Sequence, residues 1–166
     1  MANKFDIKNE TFEDVRIIRA WSNFAGLASK YNSLGNRNFV IELPGDMALD
    51  MEQKGWNVKT RQSKEEGEPD WYTLQITVKF NKDNPRLNPR IILIQGKKQI
   101  PLTEDNIDIL DNIDIQTADL TIRPYSWEVN GNSGVKAYVD EMYVIQNMTD
   151  LSAKYMDYGY EEECPF

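Results

Sequence analysis

Histidine is absent from this 166-residue chain, and cysteine occurs once, at Cys164. Without histidine there is no Ser-His-Asp or Cys-His nucleophile, no histidine zinc ligand and no imidazole general base. One cysteine cannot close an intrachain disulfide or build a cysteine-rich metal site, and it fits a reducing, cytoplasmic setting. No apolar run approaches the roughly 20 residues of a membrane span, and the opening MANKFDIKNETFEDV lacks the apolar core of a secretory signal. Neither a cofactor nor a resident metal is expected. Cations are also scarce: 19 Lys and Arg face 27 Asp and Glu, for a net charge of −8. Taken as a total, that balance argues against a polyanionic partner, because phosphate binding is driven by cations.

The distribution of charge reverses the argument. Residues 15–41 carry Arg16, Arg19, Lys30 and Arg37 with no Asp or Glu, whereas residues 103–121 carry Glu104, Asp105, Asp108, Asp111, Asp114 and Asp119 with no Lys or Arg. Asp157, Glu161, Glu162 and Glu163 form a further acidic block near the C-terminus. A partner meets blocks of charge, not the sum.

Hydropathy alternates with the period of strands. Residues 71–80, WYTLQITVKF, put Tyr72, Leu74, Ile76, Val78 and Phe80 on one face and Trp71, Thr73, Gln75, Thr77 and Lys79 on the other. EDVRIIRAW (13–21) reads as a strand with a bulge at Ile17–Ile18 that turns Ala20 inward and leaves Arg16, Arg19 and Trp21 outward. RNFVIEL (37–43), WNVKTR (56–61), RIILIQ (90–95), a strand from 114 and VKAYVDEMYVIQN (135–147) complete the set. In the strand from 114, Ala118, Leu120 and Ile122 point inward, and Thr121, Arg123, Tyr125 and Trp127 take the opposite parity. NGNSG at 130–134 predicts a hairpin turn. Short helices are expected at 46–54, capped by Asp46 and stopped by Gly55, and at 103–112, capped by Thr103. The Ser-, Asn- and Gly-rich stretch 22–36 reads as a long loop.

This pattern is mainly β and predicts a partly open Greek-key barrel of the oligonucleotide-binding (OB) type, with extra strands and short helices, over residues 1–155. An acidic flexible tail is expected over 156–166. A β-sandwich is the structural competitor. An OB barrel binds unpaired strands across one sheet face, gripped by the loop after its first strand and the loop joining its last two. Here those loops carry or adjoin Trp21, Phe24, Lys30, Tyr31 and Arg37 on one side, and Arg123, Tyr125, Trp127, Lys136 and Tyr138 on the other. Lys59, Arg61, Trp71 and Lys79 join them by strand parity, as do Arg16 and Arg19. Rings stack on bases while cations meet phosphates. The plainer reading is that aromatics serve the core and exposed charges a solvated face; Phe39, on one face with Ile41 and Leu43, reads as core.

The segment Glu161-Glu162-Glu163-Cys164-Pro165-Phe166 combines acids with an apolar tip. The acids mimic a polyanion and compete for the chain's own basic groove, while the aromatic suits an apolar pocket rimmed by cations on another protein. This segment resembles the tail of bacterial single-stranded-DNA-binding proteins, with Cys164 in place of the usual aliphatic residue. RAWSNFAG, YNSLGNRNFVIEL, GWNVK, RPYSWEVNGNSGVKAY and MYV, in that order over about 10–147, resemble bacteriophage-encoded single-stranded-DNA-binding proteins. The resemblance implies an OB fold, sequence-independent binding of single strands and a homodimer. It further implies a role in replication, recombination or repair, with the tail recruiting partner proteins, and no enzymatic activity. Two other classes stay open. One is a Mg²⁺-dependent nuclease built on Asp108, Asp111 and Asp114, and the other is a phage structural or protein-binding β-domain that never touches nucleic acid.

Overall fold

A computed structural model of the chain describes residues 7–30, 32–149 and 151. Its strands are β1 (Glu10–Val15), β2 (Arg37–Leu43), β3 (Val58–Arg61), β4 (Trp71–Val78), β5 (Arg90–Gln95), β6 (Lys98–Leu102), β7 (Ile115–Val129) and β8 (Asn132–Gln146). A helix, α1 (Gly45–Gln53), lies between β2 and β3. The fold is mainly β, as the alternation predicts.

The sheet runs β1-β7-β8-β4-β2 and then returns on itself. Along this path neighbours are antiparallel except at β4 and β8, which run parallel through Ile76↔Ala137 and Thr77↔Tyr138; off the path, β5 also runs parallel to β8. The return is made by residues 16–18. The Arg16 carbonyl accepts from the Glu42 amide at 3.0 Å, and the Ile18 amide donates to the Val40 carbonyl at 2.8 Å. β1 thus serves both ends of the path, pairing with β7 first and handing the chain to β2 afterwards. This corrects the expectation of one strand over 13–21. The break falls at Asp14, whose φ of 55° is left-handed and whose amide donates to Asp119 Oδ1 at 2.8 Å. Past Ile18 the chain makes a 3-10 turn, Arg19–Trp21, so Ala20 is exposed instead of inward.

The inward faces meet in one core that includes Phe12, Phe39, Ile41, Leu74, Ile76 and Ile122, each no more than 2% exposed. α1 closes one end through Ala48 and Met51. It begins one residue earlier than its predicted start, directly after Pro44, so Asp46 lies in the first turn and makes no capping hydrogen bond. There its charge faces the positive end of the helix dipole. Gly55, at φ 101°, ends the helix in the left-handed conformation that costs glycine least. Lys54 ties the helix to β1, reaching Asp50 at 2.9 Å and Glu10 at 3.6 Å; the Asp50 hydrogen bond, foremost, raises its pKa.

Two elements depart from the sequence reading. β6 was not expected: Gly96 and Lys97 make a two-residue turn that folds KQIPL back on β5. Its Lys98 and Pro101 suit an edge, since neither invites a further strand. The helix expected at 103–112 is only a 3-10 turn, Ile107–Asp111. Thr103, Asn106 and Asn112 spend their side chains on local backbone bonds, the competition that disfavours a helix.

The 3-10 turn has a definite task. Asp111 Oδ1 accepts from the Phe24 amide at 2.9 Å and Oδ2 from the Ala25 amide at 2.8 Å. The Asp111 carbonyl accepts from Arg19 Nη2 at 3.2 Å. A hydrogen bond to a charged group contributes about 1.5–3 kcal/mol, so Asp111→Ala is expected to lower the unfolding free energy by about 2–4 kcal/mol. Asp111→Asn, which keeps one acceptor, should lose about half as much. Urea denaturation of the two variants checks this, and an unchanged midpoint for Asp111→Ala would contradict it.

Candidate nucleic-acid interface

The outer face of β4 organises the site. Trp71, Thr73, Gln75 and Thr77 share this face, Thr73 buried there with Arg61 bonded to it, and Lys79 continues the row just past its end. At a rise of about 3.3 Å per residue, the row from Trp71 to Lys79 is about 26 Å long. One flank of β4 is covered by β2 over residues 72–78. The other flank is shared, with β3 pairing to residues 71–74 and β8 to residues 76–77.

An aromatic cluster stands at each end of the row. At the β3 end, Trp21 from the 3-10 turn stacks on Trp71, ring centroids 6.0 Å apart and planes within 7°. Arg61, which pairs with Trp71 in register, holds its guanidinium 4.6 Å from the Trp21 ring centre and donates from Nε to Thr73 Oγ1 at 3.2 Å. Lys59 lies two residues back on the same face and is exposed. At the β8 end, Tyr125 and Tyr138 meet edge to face at 5.6 Å. Arg123 and Lys136 approach the Tyr138 ring at 5.9 and 5.6 Å. With Lys79 and Leu87, these tyrosines line a groove of about 370 Å³.

A second groove, of about 330 Å³, occupies the middle. Its walls are the tip of the 22–36 loop (Asn32, Asn36), the strand face (Asn38, Gln75, Thr77), Asn57, and Trp127 with Lys136 from the β7–β8 arm. Trp127 lies across Gly134, its registered partner. The arm turns at Asn130-Gly131, both with positive φ (52° and 82°), as the NGNSG signal predicts.

Other sequence candidates fall elsewhere. Phe24 is corrected outright: it is 1% exposed and stacks on Phe39 in the core at 5.0 Å, so it has no face to offer a base. The loop that carries it is not free, because Asn23 and Asn38 exchange backbone hydrogen bonds and draw Phe24 inward. Arg16 and Arg19 are exposed, but they line a separate crevice of about 180 Å³ against Leu110, Asp111 and Asp114. Arg37 is half-buried; it borders the middle groove and donates from Nη1 to the Phe24 carbonyl at 2.7 Å. Lys30 is exposed on the 22–36 loop. Tyr31 and the segment from Glu161 through Glu162, Glu163, Cys164 and Pro165 to Phe166 lie outside the described residues.

Sequence reasoning missed Asn36, Asn57 and Gln75, because it searched for rings and cations. The face shared by Gln75 with Trp71 and Lys79 was the available signal. Electrostatically the face is open: among the described residues, Lys59, Arg61, Lys79, Arg123 and Lys136 make no ion pair with an acid. The carboxylates offered for Mg²⁺ do not assemble, since no group of three potential ligands is placed to hold a metal among the described residues. Asp111 is committed to backbone amides.

A family profile described as "Putative phage ssDNA-binding domain" matches residues 1–164. No curated protein matches the chain. Nine chains among solved structures do. The C-terminally truncated single-stranded-DNA-binding protein of bacteriophage Enc34 superimposes with a TM-score of 0.54 at 9% identity, over 86% of this chain and 87% of that one. The same phage protein in complex with single-stranded DNA gives 0.53 at 8%, over 86% and 88%. At such identities the likeness is one of fold.

A Cβ added at Gly134 would lie 2.9 Å from Cζ2 of Trp127, closer than real contacts allow. Gly134→Ala is therefore expected to lift the indole off the strand while the barrel stays folded. Tryptophan emission and near-ultraviolet circular dichroism should change while far-ultraviolet circular dichroism does not. Identical near-ultraviolet spectra would contradict this placement of Trp127.

Proposed function

Starting from the fact that the chain belongs to the phage ssDNA-binding domain family, we propose that it binds single-stranded DNA without sequence specificity, as a non-enzymatic protein of phage DNA replication, recombination or repair. The observation that carries this reading is the pair of aromatic–cation clusters at the two ends of one β4 face. A flexible polyanion with a ring on every unit calls for stacking surfaces interleaved with cations. The barrel is read as an OB fold. Support comes from the strand path, with β2 and β4 in the places of OB strands two and three, and from the two loops that flank their shared face.

On this reading the binding residues are Trp21, Lys59, Arg61, Trp71, Lys79, Arg123, Tyr125, Trp127, Lys136 and Tyr138, with Lys30, Tyr31 and Arg37 from the loop. Arg16 and Arg19 join only if the strand continues round the barrel end. Residues 1–155 form the binding domain, and 156–166 an acidic tail that competes for the basic face and recruits replication proteins. A homodimer in the host cytoplasm completes the proposal. No helix among the described residues is long and apolar enough to cross a membrane.

Oligo(dT) should quench the tryptophan fluorescence. Trp21→Ala, at an exposed site, should keep its fold and lose on the order of 1–3 kcal/mol of binding, the value of one base stack. Log affinity should fall linearly with log salt at about −0.7 per phosphate contacted, and Lys59→Ala or Lys79→Ala should each flatten the slope by up to that amount. Affinity that ignores salt would sink the reading.

Deleting residues 157–166 removes four acids. The truncated protein should bind single strands more tightly, most of all at low salt where screening is weak. Weaker binding after truncation would contradict the competing role of the tail.

A further inference from the structure

The middle groove has a chemistry that the stacking clusters do not share. Asn36, Asn57 and Gln75 converge on it, and none of their carboxamides has a hydrogen-bond partner among the described residues. Neighbouring amides are all employed. Asn23 exchanges two hydrogen bonds with the Leu27 backbone, at 2.9 and 3.0 Å. Asn32 Nδ2 holds the Leu27 and Asn36 carbonyls at 2.9 and 3.0 Å, and Asn38 Nδ2 donates to Asn32 Oδ1 at 3.3 Å. The loop is thus built by one set of amides, and a second set is presented to the groove unspent.

Phosphate oxygens only accept hydrogen bonds, so a phosphate site needs donors and cations. A carboxamide presents a donor and an acceptor side by side, the complement of a base edge and not of a phosphate. Asn and Gln pair in this bidentate way with adenine, through N6 and N7, and unstacked bases are commonly read along such edges. The groove volume of about 330 Å³ lies in the range of sites that enclose small ligands. Trp127 supplies a ring as one wall and Lys136 a cation at the rim.

We infer that this groove receives one nucleobase by its hydrogen-bonding edge, with Gln75 and Asn57 as the reading residues and adenine as the favoured base. The chain therefore adds a base preference at one position to an otherwise sequence-tolerant grip. The inference rests on the single-strand-binding reading above and goes beyond it.

Gln75 and Asn57 are both exposed, so their replacement should leave the fold intact. The test is fluorescence-anisotropy titration of the full chain with oligo(dA), oligo(dC) and oligo(dT) of one length at one salt concentration. It compares the wild type with Gln75→Ala and with the Gln75→Ala/Asn57→Ala double variant. Self-stacking of free oligo(dA) cancels when each oligomer is compared between proteins. The double variant should lose affinity for oligo(dA) at least about five-fold more than for oligo(dT), as expected for one bidentate base contact. Its salt slope should be unchanged, because no cation is removed. An equal loss for all three oligomers, no loss, or a loss falling hardest on oligo(dC) or oligo(dT) would overturn the inference and leave single-strand binding standing. Failure of the wild type to bind any of the three would overturn both readings.

Discussion

The parallel junction between β4 and β8 rests on the registered pairs Ile76↔Ala137 and Thr77↔Tyr138, reinforced where the Val135 amide donates to the Gly55 carbonyl at 3.0 Å. Here the sheet built from the first half of the chain meets the hairpin built from the last third. Beneath it, Trp56, Ile76, Val78, Val135, Ala137 and Val139 are buried together, so apolar packing holds what few ladder bonds define. On the outer side the same junction sets the tyrosines of β7 and β8 beside the row that begins at Trp71. Remove it, and the closed path opens between the two clusters. The middle groove exists only because the junction places the arm carrying Trp127 opposite the loop carrying Asn36.

Sorting of charge follows from this arrangement. The acids of 104–119 run from just ahead of the 3-10 turn into β7, and Asp111 and Asp119 among them hold backbone amides of the loop and of β1. The cations of the β4 face are left without acidic partners among the described residues. A net charge of −8 therefore coexists with a locally basic surface, because Coulombic attraction falls off within a Debye length of about 8–10 Å in ordinary salt. Aromatic rings stand among those cations, with Arg61 over Trp21 and with Arg123 and Lys136 near Tyr138.

Much of this was legible in the sequence, and the failures share a cause. β2 and β5 have the boundaries their hydropathy predicts, and alternation along 71–80 correctly separates Leu74, Ile76 and Val78 from Trp71 and Gln75. Tyr125 and Trp127 stand exposed as their parity requires, whereas Trp21 is exposed on a 3-10 turn and not on the expected strand. Local pattern failed where a distant partner decides the conformation. Phe24 looks like any loop aromatic until the Asn23–Asn38 pairing and Asp111, 87 residues away, draw it into the core. The strand at 13–21 breaks because β1 changes partners, which no window of that length contains. β6 hides in KQIPL, a segment with a proline and two polar residues that becomes a strand only because β5 lies beside it. The groove amides carry neither ring nor charge, and asparagine in a loop, as at Asn36, ordinarily signals a turn, the role that Asn23 and Asn32 do play.

The central claim is that one DNA strand crosses β4 from the tryptophan cluster to the tyrosine cluster. Nuclear magnetic resonance titration of the isotopically labelled chain with oligo(dT) tests it most directly, through the indole signals of Trp21 and Trp71 and the backbone amides along β4, β7 and β8. The account predicts that Trp71, Gln75, Lys79, Lys136 and Tyr138 shift together with one binding curve, while Asp105, Asp108 and Asp114 stay still. Shifts confined to either cluster alone, or centred on the acidic turn, would contradict it.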